Sequence, residues 1–266
     1  MGRALTDRNA AAKRAGRRGR DAPRALVAGL ALALALVAGC TRGVRKPVEG
    51  EVVMRHTVES GETLAEIAAD YYGDPGRARE IARFNEIDEE AELRPGRVVG
   101  VPMTPDEREV LRRREEARIP YNEGLDAVAR GSFLDAAARF REALSLDPAF
   151  AEAHYNLGVT YQRMRAHDSA ADALREAVKR QPQDADYRYA LGTSYYHLGR
   201  YDDAAGAFEA ALRIQPGHLE AQYSLALSLE KQGEKARARR AWERYLILDD
   251  SSEWAVQARE HLQSLE

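Results

Sequence analysis

The spacing of apolar and polar residues divides the chain into three parts. Residues 25–39 are an uninterrupted uncharged run, whereas residues 52–103 combine β-branched stretches with short segments of helical periodicity. From residue 117 onward, apolar positions recur at helical spacing. The pattern predicts an α+β fold class, in which a small β-α-α-β domain is followed by an all-α region.

Local signals place the elements of the small domain. Residues 52–58 and 98–102 are rich in β-branched side chains and predict two strands. Thr63 and Glu66 have the spacing of a capping box, so a helix is predicted to begin after Thr63. Asp74, which precedes a proline, marks the start of a second helix. The predicted order is strand, helix, helix, strand.

Three features of this domain come in a fixed order, namely HTVESGETLAEIAADYYGD, then Asn85, then LRPGRVVGVP. This succession resembles the lysin motif (LysM), a module that binds peptidoglycan and chitin. The resemblance implies that an N-acetylglucosamine chain lies in a shallow groove between the loop after the first strand and the loop after the second helix. The glycan-binding residues that it implies in this chain are Ser60, Gly61, Glu62, Thr63, Leu64, Asn85, Glu86 and Ile87.

Several of these residues also have a structural explanation. Thr63 suits a helix cap, Leu64 suits a hydrophobic core, and Asn85 suits the end of the second helix. For these residues, sugar contact and a structural role are both open. His56 lies on the first predicted strand, where we expect a polar residue with satisfied hydrogen bonds and not a metal ligand.

A strongly charged segment separates the small domain from the rest of the chain. Thr104 and Glu107 form a second capping box and predict a helix that continues to about Arg118. We expect residues 104–116 to be a helical spacer between two domains.

From residue 117 onward the chain matches itself at a shift of 34 residues. A tyrosine, a small residue, a large apolar residue and a proline each recur at their own position. The units are residues 117–150, 151–184, 185–218 and 219–252. Residues 253–266 carry apolar residues at helical spacing and predict a helix that covers the last unit.

This period and these residues resemble the tetratricopeptide repeat (TPR), a helical hairpin that stacks into a solenoid. The resemblance implies that the first helix of each repeat lines a concave surface that binds a protein or peptide. The groove residues that it implies are Tyr121, Tyr155, Val159, Gln162, Tyr189, Thr193, Tyr196, Tyr223, Leu227 and Glu230. The alternative for the tyrosines is that their rings only pack between neighbouring repeats.

The N-terminal region has the layout of a secretory signal, because a basic stretch precedes the uncharged run and Cys40 follows it. The sequence LVAGC resembles the lipobox of bacterial lipoproteins. This resemblance implies that residues 1–39 are a removed signal peptide, that Cys40 carries lipid, and that residues 40–51 tether the protein to a membrane. By the sorting rule of that family, Thr41 instead of Asp after the cysteine favours the outer membrane. The alternative is an ordinary cysteine beside an uncleaved anchor.

The charge distribution argues against a nucleic-acid partner. Residues 1–39 carry a net charge of +6, which leaves −9 for residues 40–266. Nucleic-acid binding rests largely on cationic side chains that displace counterions, so an acidic mature chain is a poor candidate.

No catalytic or metal-binding pattern accompanies these modules. The sequence has no HExxH motif and no phosphate-binding glycine loop, and its six histidines are scattered. Cys40 is the only cysteine, which excludes an intramolecular disulfide and a cysteine-based zinc site. We therefore expect no enzyme activity, no metal, and no cofactor apart from covalent lipid on Cys40.

The order of the modules predicts the function. We expect a non-enzymatic outer-membrane lipoprotein that faces the periplasm, binds peptidoglycan through LysM and recruits a protein partner through the TPR concave face. The alternative is an envelope, pilus or secretion assembly factor whose LysM domain only localises it to the cell wall. The two hypotheses share every domain, so the sequence does not choose between them.

Overall fold

The computed structural model describes residues 52–89 and 92–265. The predicted signal peptide, the lipidated Cys40 and the linker lie outside the described residues. Among the helices of the described part of the chain, none is long and apolar enough to cross a lipid bilayer.

The small domain consists of a two-stranded sheet and two helices. Strand β1 (Val52–Thr57) pairs antiparallel with strand β2 (Val98–Met103). Between them lie helix α1 (Leu64–Tyr72), a 3-10 turn (Pro75–Arg77) and helix α2 (Ala78–Phe84). The predicted β-α-α-β order is confirmed.

The limits of the first helix follow from local capping. The Thr63 hydroxyl accepts a hydrogen bond from Glu66 N–H, and the Glu66 carboxylate accepts one from Thr63 N–H, as the capping box predicts. Gly73 ends α1 in the left-handed conformation, with φ 73°. Asp74 then caps the 3-10 turn through the N–H of Gly76.

The core of the small domain lies between β2 and the two helices. Its most deeply buried side chains are Leu64, Ile67, Ile81, Val99, Val101 and Met103. Gly100 lies among them in β2, where a Cβ atom would come within 2.6 Å of the Phe84 ring. The close approach of α2 to the sheet therefore needs glycine at this position.

Helix α3 (Pro105–Ala129) belongs to both domains. The sequence predicted a spacer at residues 104–116, but the backbone stays helical from Pro105 through the first helix of the repeats. Leu111 packs on the core of the small domain, and Arg77 Nη1 lies 2.6 Å from the Glu107 carboxylate. The charged segment therefore packs on the small domain and is not only a spacer between this domain and the repeats.

Pro120 lies inside α3 without ending it. Proline has no backbone N–H, so the hydrogen bond that residue 120 would donate to the Glu116 carbonyl is missing. Pro120 is buried, so packing against its neighbours helps to keep the helix continuous.

The rest of the described chain is a succession of helices in which each packs on the next. The helices are α4 (Phe133–Leu146), α5 (Ala151–Arg163), α6 (His167–Arg180), α7 (Ala185–His197), α8 (Tyr201–Ile214), α9 (Leu219–Lys231), α10 (Lys235–Leu248) and α11 (Glu253–Ser264). The last turns of α3 form the first hairpin with α4, and α11 packs on α10 at the other end. The predicted fold class, a small α/β-containing domain followed by an all-α array, is confirmed.

Glycine in the first helix of a repeat lets the second helix approach closely. A Cβ atom at Gly158 would lie 2.5 Å from Leu174 Cγ, and one at Gly192 would lie 2.6 Å from the Phe208 ring. Non-bonded carbon atoms do not approach this closely, so the distance between the two helices of each hairpin depends on these glycines.

The first repeat departs from the others because the small domain, and not another repeat, precedes it. Leu157 occupies the position that holds Glu123 in the first repeat, and it packs against Ala137 and Phe140 of the preceding unit. Glu123 is exposed and forms an ion pair with Arg139 at 3.2 Å. A charged residue is suited to this open end of the array.

Candidate functional site

The loop between β1 and α1, residues 59–63, is called the first loop below. Val58, at its start, donates and accepts one backbone hydrogen bond with the turn before β2, both at 2.8 Å. Ser60 and Gly61 form its exposed tip, and Gly61 has φ 81°, a conformation that glycine adopts without strain. The loop therefore presents backbone groups and a hydroxyl to the solvent.

Asn85 joins the end of α2 to strand β2. Its side chain is buried, with Nδ2 donating to the Ile81 carbonyl at 2.8 Å and to the Gly100 carbonyl at 2.7 Å. Its Oδ1 accepts from Gly100 N–H at 2.7 Å. Both amide hydrogens are thus used inside the domain. Of the two roles left open for Asn85, the structural one accounts for its side chain, because these groups are engaged inside the domain.

Three residues of the first loop region are also engaged inside the domain. Leu64 is buried in the core, which was the structural role left open for it. The Glu62 carboxylate accepts from Glu59 N–H and lies 2.8 Å from His56 Nε2. Thr63 caps α1 while remaining exposed.

The predicted residues that keep surface access come from both loops. They are Ser60, Gly61, Thr63 and Glu86, together with the half-buried Ile87. Glu86 has φ 52°, and Ile87 packs partly on the core. An N-acetylated sugar needs polar groups for its amide and hydroxyls and an apolar surface for its ring and methyl group. These residues provide both, and their contact with sugar stays a prediction.

His56 and Tyr71 lie directly behind the first loop. His56 is buried on β1, and its Nδ1 lies 3.4 Å from the Tyr71 hydroxyl, with the rings edge to face at 5.7 Å. Burial, with a smaller effect of nearby carboxylates such as Glu115, raises the pKa of Tyr71 to about 12. The prediction that His56 is a satisfied polar residue on a strand is confirmed. Its connection to the loop was missed, because the link to Glu62 spans a turn.

Two of the recurring tyrosines are buried. Tyr155 is 8% exposed and stacks on Tyr187 of the next repeat, with centroids 4.6 Å apart and an interplanar angle of 17°. Tyr223 is 4% exposed, and its hydroxyl donates to Gln257 in α11 at 3.1 Å. These two rings pack between successive units.

The other two tyrosines are half-buried, and Tyr121 contacts the next repeat as well. The Tyr121 hydroxyl accepts from Asn156 Nδ2 at 2.9 Å, and the Tyr189 ring lies 4.9 Å from the His218 ring. The burial of Tyr155 and Tyr223 favours the alternative that their rings pack between successive units. Tyr121 and Tyr189 keep accessible surface, and their place in a groove stays a prediction.

The remaining predicted groove residues divide into two groups. Gln162 donates to the Ala190 carbonyl of the next repeat at 2.7 Å. Glu230 accepts from Trp242 Nε1 at 2.5 Å and lies 3.0 Å from His261 Nδ1. These two side chains hold the array together. The half-buried residues that keep accessible surface are Val159, Thr193, Tyr196 and Leu227.

Comparison with known families identifies both parts of the chain. The LysM domain family matches residues 56–102. The tetratricopeptide repeat family matches residues 121–185, 160–218 and 189–253, which together span half of the chain. The chain belongs to the tetratricopeptide repeat family. Its TPR array follows a LysM domain, in the order that the sequence predicted.

Solved TPR structures share the fold of the array. The structure described as "Crystal structure of MamA protein" matches with a TM-score of 0.52 at 22% identity, covering 57% of this chain and 86% of that one. "MamA RS-1 ArsTM double mutant" matches with a TM-score of 0.51 at 18% identity, covering 56% and 92%. At these identities the likeness shows the fold alone. No curated protein sequence matches the chain.

The LysM domain and the TPR array are both binding modules, the first for glycans and the second for proteins. Neither class is catalytic. Within residues 52–89 and 92–265, no group of three or more His, Cys, Asp or Glu side chains is arranged to hold a metal ion.

Charged residues recur on the TPR helix faces that carry the tyrosines. Three residues before the tyrosine, repeats two to four carry an acidic residue, namely Glu152, Asp186 and Glu220. Eight residues after it they carry a basic residue or histidine, namely Arg163, His197 and Lys231. Residues three, four and seven apart share one side of a helix, so on this face the first helix of repeats two to four has an acidic residue at one end and Arg163, His197 or Lys231 at the other. We call this face the TPR stripe. These charged positions were not among the predicted site residues, although they follow the same 34-residue period.

His218 connects the last two TPR units beside the acidic end of the stripe. It is buried, and its two ring nitrogens each lie 3.3 Å from a carboxylate, one of Asp186 and one of Glu220. Burial disfavours the charged ring, but hydrogen bonding to these carboxylates outweighs it and raises the pKa of His218 to about 9. His218 therefore places a titratable ring between the carboxylates of Asp186 and Glu220.

Proposed function

We propose that the protein is a non-enzymatic scaffold of the bacterial cell envelope, which binds peptidoglycan through its LysM domain and a protein partner through its TPR array. Helix α3 carries this proposal, because one helix packs on the LysM core and also forms the first helix of the array. A LysM domain bound to glycan would thus hold the array at a fixed orientation.

Peptidoglycan binding is supported by the surface residues of the LysM domain. The exposed tip of the first loop offers a hydroxyl and backbone groups, and Ile87 offers an apolar contact. The glycan chain of peptidoglycan presents N-acetyl groups and sugar rings, which match these two kinds of surface.

A bulky side chain at the tip of the first loop tests this binding. In co-sedimentation with purified peptidoglycan, we expect Ser60→Trp to remain in the supernatant, because the indole occupies the space in front of the loop. Arg79→Trp is the matched control, since it adds the same ring at an exposed position on α2. Equal sedimentation of both variants and the wild type would contradict a glycan site at this loop.

Partner binding is supported by the TPR stripe. Its accessible apolar residues, Val159 and Leu227, each lie between a carboxylate, of Glu152 or Glu220, and a cation, of Arg163 or Lys231. A partner segment with an apolar strip, cations on one side and anions on the other complements this face.

Site-specific photo-crosslinking in the bacterial host tests the stripe. We expect a photoreactive phenylalanine analogue at Val159 to give a discrete crosslinked product. The same analogue at Asp172, an exposed residue of α6, is the control and should give none. The same product from both positions, or from neither, would contradict partner binding at the stripe.

Membrane attachment through Cys40 is part of the same proposal, and its support comes from the lipobox-like sequence LVAGC. Diacylglycerol on Cys40 together with an acylated N-terminus would give stable anchoring, since one chain alone binds only reversibly. We expect radiolabelled palmitate to enter the wild-type protein and not the Cys40→Ser variant. Normal processing and membrane fractionation of Cys40→Ser would rule the lipid anchor out.

A further inference from the structure

The first loop of the LysM domain is held by a chain of hydrogen bonds that reaches back to helix α1. Glu62 Oε2 accepts from Glu59 N–H at 2.8 Å, which closes the loop on itself, and it lies 2.8 Å from His56 Nε2. On the other side of the ring, His56 Nδ1 lies 3.4 Å from the Tyr71 hydroxyl. The chain therefore runs from α1 through β1 to the backbone of the loop.

Glu62 and Tyr71, at the two ends of this series of hydrogen bonds, determine which atoms carry the protons. An ionised carboxylate only accepts, so His56 Nε2 donates to Glu62. In the neutral ring Nδ1 is then the acceptor, and the Tyr71 hydroxyl donates to it. The raised pKa of Tyr71, about 12, keeps this donor protonated at neutral pH. In this series of hydrogen bonds, each donor therefore faces an acceptor.

Burial protects this chain from water. The side chains of His56 and Glu62 are 9% and 15% exposed, whereas Ser60 at the tip of the loop is exposed. A hydrogen bond with little access to water is weakened less by solvent than an exposed ion pair. The loop is thus fixed from behind, while its front remains accessible.

We propose that His56, Glu62 and Tyr71 are positioning residues for the glycan site, and that Glu62 acts on the loop instead of touching the sugar. The inference rests on the proposed binding of glycan by this LysM domain. Its physical basis is preorganisation, because a loop that already has its bound conformation loses less conformational entropy when the ligand binds. The family resemblance placed Glu62 among the sugar contacts, but its carboxylate already has two partners inside the domain.

Substitutions of Glu62 test the inference, with N-acetylchitopentaose titrated calorimetrically into the full chain. Glu62→Ala removes the acceptor, and we expect roughly a tenfold loss of affinity. Glu62→Gln keeps a side-chain oxygen that can accept from Glu59 and His56, so most of the affinity should return. The matched control is Glu92→Ala, which removes an exposed carboxylate of the same domain and should leave the affinity unchanged.

Amide NMR of the same proteins supplies a readout that does not depend on the sugar. In Glu62→Ala, we expect the Glu59 amide proton to shift upfield and the amides of the first loop to exchange faster with solvent. In Glu62→Gln these amides should stay close to the wild type. The melting temperature and the amides of α1 and α2 should change little in either variant, which separates loop positioning from a general loss of stability.

Two outcomes would overturn the inference. An equal loss of affinity in Glu62→Ala and Glu62→Gln with unchanged loop amides would make Glu62 a direct sugar ligand. Wild-type affinity in Glu62→Ala would show that the chain of bonds does not matter for binding. If the wild-type protein does not bind the oligosaccharide at all, co-sedimentation with peptidoglycan decides the proposed glycan function, and the amide measurements alone decide whether Glu62 holds the loop.

Discussion

Replacement of Gly158 by alanine should destabilise the TPR array, although alanine is the better helix former. The added Cβ would lie 2.5 Å from Leu174 Cγ and 3.2 Å from the Ala170 carbonyl oxygen. Neither atom is the free end of a flexible side chain, so α5 and α6 must move apart. Such overpacking costs about 1–3 kcal/mol, against about 1 kcal/mol gained from helix propensity.

Gly206 is the matched control for this substitution. It also lies inside a helix, α8, but no atom outside its own neighbourhood lies within 4 Å of the position of its Cβ. Gly206→Ala should therefore stabilise the protein by about 1 kcal/mol. The difference between the two variants isolates the overpacking cost, about 1–3 kcal/mol.

Urea unfolding followed by far-ultraviolet circular dichroism measures both variants. Repeat arrays need not unfold in a single step, so the midpoints are compared before any free energy is extracted. We expect the midpoint of Gly158→Ala to lie below that of the wild type and the midpoint of Gly206→Ala above it. The packing argument is refuted if both alanines raise the midpoint equally.

Three further substitutions test other contacts of the array. Tyr155→Ala removes a buried ring and should lower the free energy of unfolding, measured in urea titrations, by about 3–5 kcal/mol. A loss below about 1 kcal/mol would show that the ring contributes little to packing between the repeats. The pKa of His218 is raised from 6.5 to about 9, so its contribution to stability is fully present below pH 6.5 and is lost as the pH rises through about 9. In thermal melts at increasing pH, His218→Gln should abolish this loss of stability at alkaline pH. A pH profile equal to that of the wild type would contradict the assignment of the loss to His218. Glu230→Ala leaves Trp242 and His261 without their acceptor and should speed amide exchange in α11, whereas wild-type exchange would show that α11 is held by its apolar contacts alone.

Features that depend on neighbouring residues in the sequence were predictable. The capping boxes at Thr63 and Thr104 each join residues three positions apart, and both are present as predicted. The helix that covers the last repeat also begins where expected, with Ser252 as its cap. Such signals require no knowledge of what packs against the element.

Features that depend on distant residues were not predictable. Asn85 was open to two roles until its partner, Gly100 in the second strand, was seen fifteen positions away. The 34-residue period shows that Tyr155 holds the same position in its repeat as the other recurring tyrosines. How deeply its ring is buried depends on Tyr187 in the next repeat. Periodicity identifies equivalent positions, but it does not predict which side chains of the neighbouring repeat contact them.

Helix α3 leaves no joint between the LysM domain and the TPR array. At a rise of 1.5 Å per residue, its 25 residues form a lever of about 37 Å. A torque on the array is therefore passed directly to the LysM domain, where the ion pair between Arg77 and Glu107 resists rotation of the helix. Pro120 lacks the backbone hydrogen bond of an ordinary helical residue, but it is buried and the helix runs on through it. A pull on a bound partner would therefore reach the LysM domain as a load on the contact between Arg77 and Glu107.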